Sequence, residues 1–396
     1  MSAQRPAPDG GGRVVFLIAG EESGDLLGAG LMRELAGRLG RLTFRGVGGA
    51  RMAAEGLTSI FPIEMIQLHG LSEVLLRLPD LRRRIAATVD AVVEADPDVL
   101  VAIDSPAFSL RVAKRVRRLN PTIPIVDYVS PSVWAWAPWR ARRMKPFVDH
   151  LMAILPFEPE VHRQLGGPPT TYVGHPLTER LGRLRPEPGD RASPGAGERP
   201  VLLVLPGSRR SEVGRLMQRF GETVKLVVDR IGPLEVVLPA VDALADDIRA
   251  RAAVWPVQPV IVTGEEAKYA AFRRARAALA ASGTVTLELA LSGVPIVVAY
   301  RVDIFLRALK PLLRAKSIVL ANLIAGENAI PEFLDDDATP ENLAGALLPL
   351  LQDTPERTRQ LTAFDEIERR MRLTEGTPSR RAADVVIAAM RRPADA

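Results

Sequence analysis

Val14-Val15-Phe16-Leu17-Ile18, followed by Ala19-Gly20-Glu21-Glu22-Ser23-Gly24-Asp25 and then the segment from Leu26 to Leu39, decides the fold class. The first five residues are uninterrupted apolar, as in a strand covered on both faces. The last segment repeats apolar side chains at three- and four-residue spacing, the period of a helix with one buried face. A buried strand that passes through a glycine-containing loop into such a helix is the first half of a βα unit. The same alternation runs through Asp98-Val99-Leu100-Val101-Ala102-Ile103, a helix over Ser109 to Leu119, and Ile123-Pro124-Ile125-Val126-Asp127-Tyr128. A second series opens at Val201-Leu202-Leu203-Val204-Leu205 and continues through Glu235 to Leu238, Pro259 to Val262, Ala277 to Ala281 and Pro295 to Ala299. The expectation is an α/β protein of two Rossmann-like domains with a helical C-terminus. Its divisions are a disordered tail over 1–12, a first domain over 13–179, a proline- and glycine-rich linker over 180–200 and a second domain over 201–340. Helices over 341–396 then pack back on a domain or on a second subunit.

Composition agrees with this size. At about 150 residues per domain, 396 residues make two to three domains. Hydrophobic residues at 47% and charged residues at 25%, with a mean hydropathy of +0.07, suit a chain with a sizeable interior and exclude a fibrous or disordered one. With no cysteine, disulfides, thiolate zinc sites, iron–sulfur ligation and cysteine nucleophiles are excluded, and four histidines leave little for a metal, so none is expected. The net charge of +5 is too small to point to nucleic acid. It is concentrated, however: between Arg111 and Lys145 nine basic residues meet one acidic residue, Asp127, which suits a face that meets phosphates. A signal peptide would need a basic start and a cleavage site of small residues, and none is expected here. No apolar run approaches the roughly 18 residues of a membrane span, so membrane contact is expected to be peripheral.

In open α/β sheets ligands bind beyond the carboxyl ends of strands, and the candidate residues are therefore sought in those loops. Neither GxGxxG spacing nor a GKS or GKT triplet occurs, which disfavours a dinucleotide cofactor and a Walker-type ATPase. Glu21 directly follows a buried strand, where a carboxylate suits a hydroxyl or an amine, whereas Ser23 and Asp25 suit helix capping as well. Asp104 ends the most apolar strand of the first domain and can deprotonate a substrate hydroxyl or close a turn before Pro106. Trp134 and Trp136 stand beside Arg140, Arg142, Arg143 and Lys145, which suggests a cleft wall. In the second domain Gly207 and Ser208 can offer backbone N–H groups while Arg209 grips a diphosphate bidentately. Ser282, Gly283 and Thr284 open a helix whose positive end suits the same diphosphate, and Glu288 can accept both hydroxyls of a ribose. This set describes a nucleotide-sugar enzyme.

The motifs Gly20-Glu21-x-Ser23-Gly24-Asp25, Phe44-x-Gly46-Val47-Gly48-Gly49 with Met52, Asp104-x-Pro106, Ser130-Pro131-Ser132-Val133-Trp134-Ala135-Trp136, Val173-Gly174-His175-Pro176, Pro206-Gly207-Ser208-Arg209 with Glu212, Ser282-Gly283-Thr284 with Glu288, and Asn322-Leu323-Ile324-Ala325 resemble the lipid A disaccharide synthase family, in order from residue 20 to about 325. The resemblance implies a glycosyltransferase B fold, two Rossmann-like domains facing across a cleft, and an inverting, metal-free hexosyl transfer in lipid A biosynthesis for lipopolysaccharide. It implies UDP-2,3-diacylglucosamine as donor, 2,3-diacylglucosamine 1-phosphate (lipid X) as acceptor, no cofactor, and a possible homodimer. By motif, Asp104 falls at the family's candidate catalytic aspartate and Glu21 in a loop that meets substrate. Arg209, Glu288 and Asn322 fall among UDP contacts, alongside Ser208, Ser282, Gly283 and Thr284. Two departures stand out: Ala107 replaces a usual aspartate, whose role Ser109 is the nearest residue to take, and Asp335 replaces a usual glutamine.

Such substrates carry acyl chains, so the protein is expected at the cytoplasmic face of the inner membrane. The segment Phe61 to Leu81 holds too many apolar residues for one helix stripe, with Arg82, Arg83 and Arg84 at its end. Ile66, Leu71, Leu75 and Leu76 are the expected acyl contacts against an anionic membrane surface. His69 in the same segment is read as packing, and His175 as a linker residue. The competing readings are a UDP-N-acetylglucosamine 2-epimerase-like or other glycosyltransferase B-fold enzyme acting on a soluble sugar, and a non-catalytic adaptor that binds anionic lipid or RNA through residues 111–145.

Overall fold

The computed structural model describes residues 12–66, 78–191, 199–301 and 317–390. They divide into two compact units, Met1–Pro176 with Leu373–Ala396, and Leu177–Arg372. The expected tail, His69, Leu71, Leu75 and Leu76 lie outside the described residues.

In the first unit the chain runs β1 (Arg13–Ala19), α1 (Glu22–Leu39), β2 (Leu42–Val47), α2 (Ala50–Ala54), β3 (Thr58–Ser59), α3 (Leu78–Ala95), β4 (Val99–Ile103), α4 (Ser109–Leu119), β5 (Ile125–Tyr128), α5 (Trp139–Met144), β6 (His150–Ala153), α6 (Glu158–Leu165) and β7 (Thr170–Tyr172). The strands form one parallel sheet in the order β3-β2-β1-β4-β5-β6-β7. Alternation along β1 explains the two layers: Val15 and Leu17 pack with Leu31 and Leu35 of α1, while Phe16 and Ile18 pack with Ile85 and Val89 of α3 and Val112 of α4. Each such side chain contributes about 1.5–3 kcal/mol when fully buried.

The second unit runs α7 (Leu181–Leu184), β8 (Val201–Leu205), α8 (Arg210–Ile231), β9 (Glu235–Ala240), α9 (Ala245–Ala252), β10 (Val260–Thr263), α10 (Glu265–Arg274), β11 (Ala275–Ala281), α11 (Val285–Leu291), β12 (Ile296–Tyr300), α12 (Leu320–Ala325), β13 (Glu332–Leu334), α13 (Pro340–Leu351) and α14 (Pro355–Met371). Its parallel order, β10-β9-β8-β11-β12-β13, repeats that of the first sheet about its own first strand. Val213, Phe220, Val224 and Val227 of α8 share one core with Leu343, Leu347 and Leu350 of α13.

The C-terminal helices do not act as one group. Helices α13 and α14 belong to the second unit, whereas α15 (Pro378–Ala389) returns to the first, where Ala382, Ala383 and Val386 join the layer of α1. The stretch expected as a linker starts no boundary of its own, because the units divide at residue 176. Arg180 instead pairs with Glu265 at 2.8 Å, and the guanidinium of Arg191 donates to the carbonyls of Ser292, Gly293 and Arg273 at 2.5, 2.7 and 3.1 Å. Within this stretch, the described residues 180–191 are thus held to the second unit by arginine contacts. The expectation for Ile66 is also corrected: it is 3% exposed and packs with Phe16, Ile18 and Val47, so it fills the core and touches no lipid. Among the described residues no helix is long and apolar enough to cross a membrane.

Candidate functional site

Each sheet reverses direction beside its first strand, and the crevice beyond two such adjoining strands is where open α/β sheets bind ligands. In the first sheet these strands are β1 and β4, with Ala19 level with Ile103; in the second they are β8 and β11, with Leu205 level with Ala280. Glu21 and Asp104 follow the first pair, and Arg209 and Ser282 follow the second. Topology thus brings the sequence candidates to both switch points.

In the first unit the two loops are in contact. Ser23 Oγ donates to Asp104 Oδ2 at 3.0 Å, and the other carboxylate oxygen accepts the Ser105 N–H at 2.7 Å. Gly20 permits this approach, since a Cβ there would lie 2.3 Å from Ser105 Cβ and Oγ. Asp104 and Ser105 both hold positive φ, 52° and 47°, a region costly for residues other than glycine and asparagine or aspartate. Glu21 stands exposed at the start of α1, where its side chain makes no cap. Asp25 caps α2 instead of its own helix, accepting the N–H groups of Gly49, Arg51 and Met52 at 2.7, 2.9 and 3.1 Å. Ser109 does not replace the missing carboxylate at Ala107: it is buried, and its hydroxyl donates to the carbonyls of Asp104 and Ser105 at 2.7 and 3.1 Å.

Behind Asp104 lies a carboxyl that the sequence reading left unassigned. Asp127 on β5 is 2% exposed, and its Oδ2 has no hydrogen-bond partner among the described residues. Burial first and the charge of Asp104 second hold its pKa well above the usual carboxylate range, against the pull of Arg140. The signal was present as a single charge inside an otherwise apolar strand. Of the tryptophans, Trp134 donates through Nε1 to Glu158 at 3.1 Å, whereas Trp136 is 51% exposed with the Arg140 guanidinium 5.1 Å above its ring. Glu158 and His162 sit one turn apart on α6, and neither was singled out, because their partners are remote in sequence. Burial pushes Glu158 up to about 7, and His162 and His175 down to about 4.

In the second unit several candidates arrive already paired. Gly207 holds φ 115°, and a Cβ on it would lie 2.4 Å from Glu212 Oε2; that oxygen accepts the N–H groups of Ser208 and Arg209 at 3.1 and 3.2 Å. The amide of Ser208, expected to meet a diphosphate, therefore meets Glu212, whose position three residues into α8 lets it reach back over the helix start. The Arg209 guanidinium is 74% exposed and keeps a single 3.2 Å contact with Glu212, so it is available to an anion. Ser282 donates to the Ile318 carbonyl at 2.8 Å, and among the described residues no atom lies within 4 Å of where a Cβ on Gly283 would be. Thr284 starts α11 without a side-chain cap. Both oxygens of Glu288 accept from Lys268 Nζ, at 3.1 and 2.9 Å, a partner with no signal in the sequence. Asn322 does not point at a ligand. It is 2% exposed, its amide nitrogen donates to the Ile330 carbonyl and Glu332 at 2.9 and 2.8 Å, and its oxygen accepts the Ile330 N–H at 2.9 Å. Both donors are thereby used, one on the loop before β13 and one on its first residue.

Comparison with known proteins agrees with this arrangement. The family described as Lipid-A-disaccharide synthetase matches residues 15–386. A protein of Nitrobacter hamburgensis named lipid-A-disaccharide synthase is 54% identical over 382 residues, covering 96% of both chains. One of Rhodopseudomonas palustris with the same name is 54% identical over 388 residues, covering 98% of both. Among solved structures, Acinetobacter baumannii MurG superposes with a TM-score of 0.58 at 12% identity, over 96% of this chain and 100% of that one. The UDP-GlcNAc 2-epimerase of Neisseria meningitidis bound to UDP-GlcNAc gives 0.57 at 13% identity, over 95% and 98%. These two likenesses establish the fold, two parallel βα sheets of glycosyltransferase B type. With its motifs gathered at both switch points and its kinship running nearly from end to end, the chain belongs to the lipid-A-disaccharide synthetase family.

Proposed function

We propose that this protein is an inverting glycosyltransferase that joins UDP-2,3-diacylglucosamine to 2,3-diacylglucosamine 1-phosphate, releasing UDP and the β-1,6-linked disaccharide 1-phosphate. The observation that carries the reading is the 54% identity to named lipid-A-disaccharide synthases over 96% of the chain. In it, Asp104 takes the proton of the acceptor 6-hydroxyl as that oxygen attacks the anomeric carbon, and Glu21 on the adjoining loop helps hold the acceptor. In the second unit the Arg209 guanidinium and the residues around Ser282, Gly283 and Thr284 stabilise the charge developing on departing UDP. Glu288, oriented by Lys268, keeps lone pairs for a ribose hydroxyl. Ser208 and Asn322 act on the nucleotide indirectly, by shaping the loops that meet it. No resident cofactor is assigned.

The acylated substrates place the work at the cytoplasmic face of the inner membrane, with the protein bound peripherally to an anionic surface, and a homodimer suits the family. The epimerase-like reading keeps only a shared fold in its favour, and the adaptor reading leaves the paired loops at both switch points without a purpose. The test is UDP release from purified protein given UDP-2,3-diacylglucosamine and lipid X in mixed micelles. UDP formation that requires both lipids is expected. Consumption of UDP-N-acetylglucosamine without an acceptor, or no turnover with both lipids, overturns the reading.

A further inference from the structure

Helix α6 faces the loop that joins β5 to α5 with two polar side chains at i and i+4, and the loop answers with two of its own at the same spacing. Glu158 Oε1 accepts Trp134 Nε1–H at 3.1 Å, and Ser130 Oγ lies 2.8 Å from His162 Nε2. The second Glu158 oxygen accepts the Leu155 N–H at 3.1 Å. Glu158 is 2% exposed and His162 fully buried. Two buried polar side chains on one face are costly unless satisfied, and His162 Nδ1 has no partner among the described residues, so folding alone gains little from this choice.

What the two side chains hold is a strained segment. Within nine residues Val129, Ser132 and Ala137 take φ values of 85°, 43° and 51°. For a β-branched valine this is a true outlier, and such strain persists only where neighbours over-determine it. The loop leaves β5 immediately after Tyr128, whose carbonyl accepts the Asp104 N–H at 2.8 Å, and it carries the exposed Trp136 with Arg140 stacked on it.

We infer that Glu158 and His162 are positioning residues, which hold the 129–138 loop beside Asp104 so that Trp136 and Arg140 present an aromatic and cationic face to the phosphate-bearing acceptor sugar. The inference rests on the proposed glycosyl transfer for its kinetic consequence and on the structure alone for its mechanical one. The grip depends on charge: an ionised Glu158 accepts from Trp134 and Leu155 at once, and a proton on either oxygen weakens one of the two bonds. The groups that face it are Ser130 and Trp134 on the loop, His162 on its own helix, Tyr172 on β7 and the amides of residues 154 and 155. Among the described residues no cation faces it, so hydrogen bonds alone oppose burial, which pushes the carboxyl up to about 7. His162 stays neutral over the same range.

The test uses the full chain with Glu158→Gln and Trp134→Phe. The emission difference between parent and Trp134→Phe should change with a midpoint near pH 7, and the same difference measured in the Glu158→Gln background should be flat. At pH 8, Glu158→Gln should raise KM for the acceptor about tenfold with little change in UDP affinity, and kcat/KM should lose its ionisation near 7. Emission that is flat in the parent overturns the inference even if the variant does not fold. So does an unchanged acceptor KM in a folded variant. Absence of UDP release from the parent itself would instead fail the proposed function, while the fluorescence titration still decides the role of Glu158.

Discussion

Replacing Asp104 by Asn separates chemistry from folding at one position. The Asp104 carboxylate makes two side-chain bonds, to Ser105 N at 2.7 Å and to Ser23 Oγ at 3.0 Å. An Asn keeps an oxygen for the Ser105 N–H, and its amide nitrogen can donate to Ser23, whose hydroxyl accepts as readily as it donates. Asn also tolerates the positive φ of 52°. The loss is the charge assistance to two bonds, about 1 kcal/mol. For a unit of this size that corresponds to a Tm shift of about 2–4 °C. Turnover should fall by about 10²- to 10⁴-fold, since no group remains to accept the hydroxyl proton. Asp104→Ala adds a stability cost: it leaves the Ser105 amide unpaired and removes the local hydrogen bonding that makes Asp tolerant of a left-handed conformation, for about 2–3 kcal/mol in all. The assays are steady-state UDP release, UDP titration by calorimetry and thermal melting. Asp104→Asn that melts normally, binds UDP normally and turns over within a few-fold of the parent would refute Asp104 as the base.

Arg209→Ala should weaken UDP binding by about tenfold or more with no change in melting, because its guanidinium is largely exposed and holds one weak contact; unchanged titration removes it from the site. Lys268→Met and Glu288→Ala should each weaken UDP, and the double variant should lose little more than either alone, because the two side chains act as one pair; full additivity would contradict that. Asn322→Ala should destabilise the fold by about 2–3 kcal/mol in urea melts while any loss of UDP affinity follows from the loop, since its amide satisfies buried backbone groups. Glu158, raised from its ordinary 4.5 to about 7, contributes stability below pH 4.5 that is lost as pH rises through 7. Glu158→Gln should therefore gain on the parent by about 3 kcal/mol between pH 5 and 8, read from urea midpoints. His162 and His175, lowered from 6.5 to about 4, work the other way: their contribution is present above 6.5 and lost as pH falls towards 4, so acidification below 6.5 should destabilise the parent.

The strands legible in the sequence were those buried on both faces, such as β1, β4 and β8, where an apolar run and a following helical period are local properties. Strands β2, β6 and β7 carry polar residues and gain their place from pairing with neighbours far along the chain, which no window of residues reveals. The return of α15 to the first unit is likewise a matter of which layer had room for Ala382 and Val386. At the candidate site, the position of Asp104, Glu21 and Arg209 beyond strand ends was legible because a charged residue after a buried strand is conspicuous. The burial of Asn322 was not legible, since an amide gives no sign of whether it faces solvent or its own loop. Lys268 was invisible because its partner Glu288 lies 20 residues away on another element. Ile66 shows the limit of counting apolar residues: an excess in a segment does not say which of them the core takes.

The two units distribute their costs differently. Of the seven residues other than glycine with positive φ among those described, six lie in the first unit, and five of these are in the two loops that follow β4 and β5. The buried carboxyls of Asp127 and Glu158 stand behind the same two loops, each held away from its ordinary ionisation by burial. The second unit has one such residue, Asp335, and its candidate groups are paired: Glu212 with two amides, Glu288 with Lys268, Asn322 with its own loop. Strain and buried charge lower stability and are kept where a geometry must be held that relaxed chain would not adopt. Satisfied pairs do the opposite, presenting a fixed surface whose remaining lone pairs and largely exposed Arg209 guanidinium need no rearrangement to take up a ligand. A hydroxyl that must be aligned and deprotonated needs the first kind of environment. A nucleotide that must be bound and let go needs only the second, and under the proposed function that difference in task accounts for the division of strain between the units.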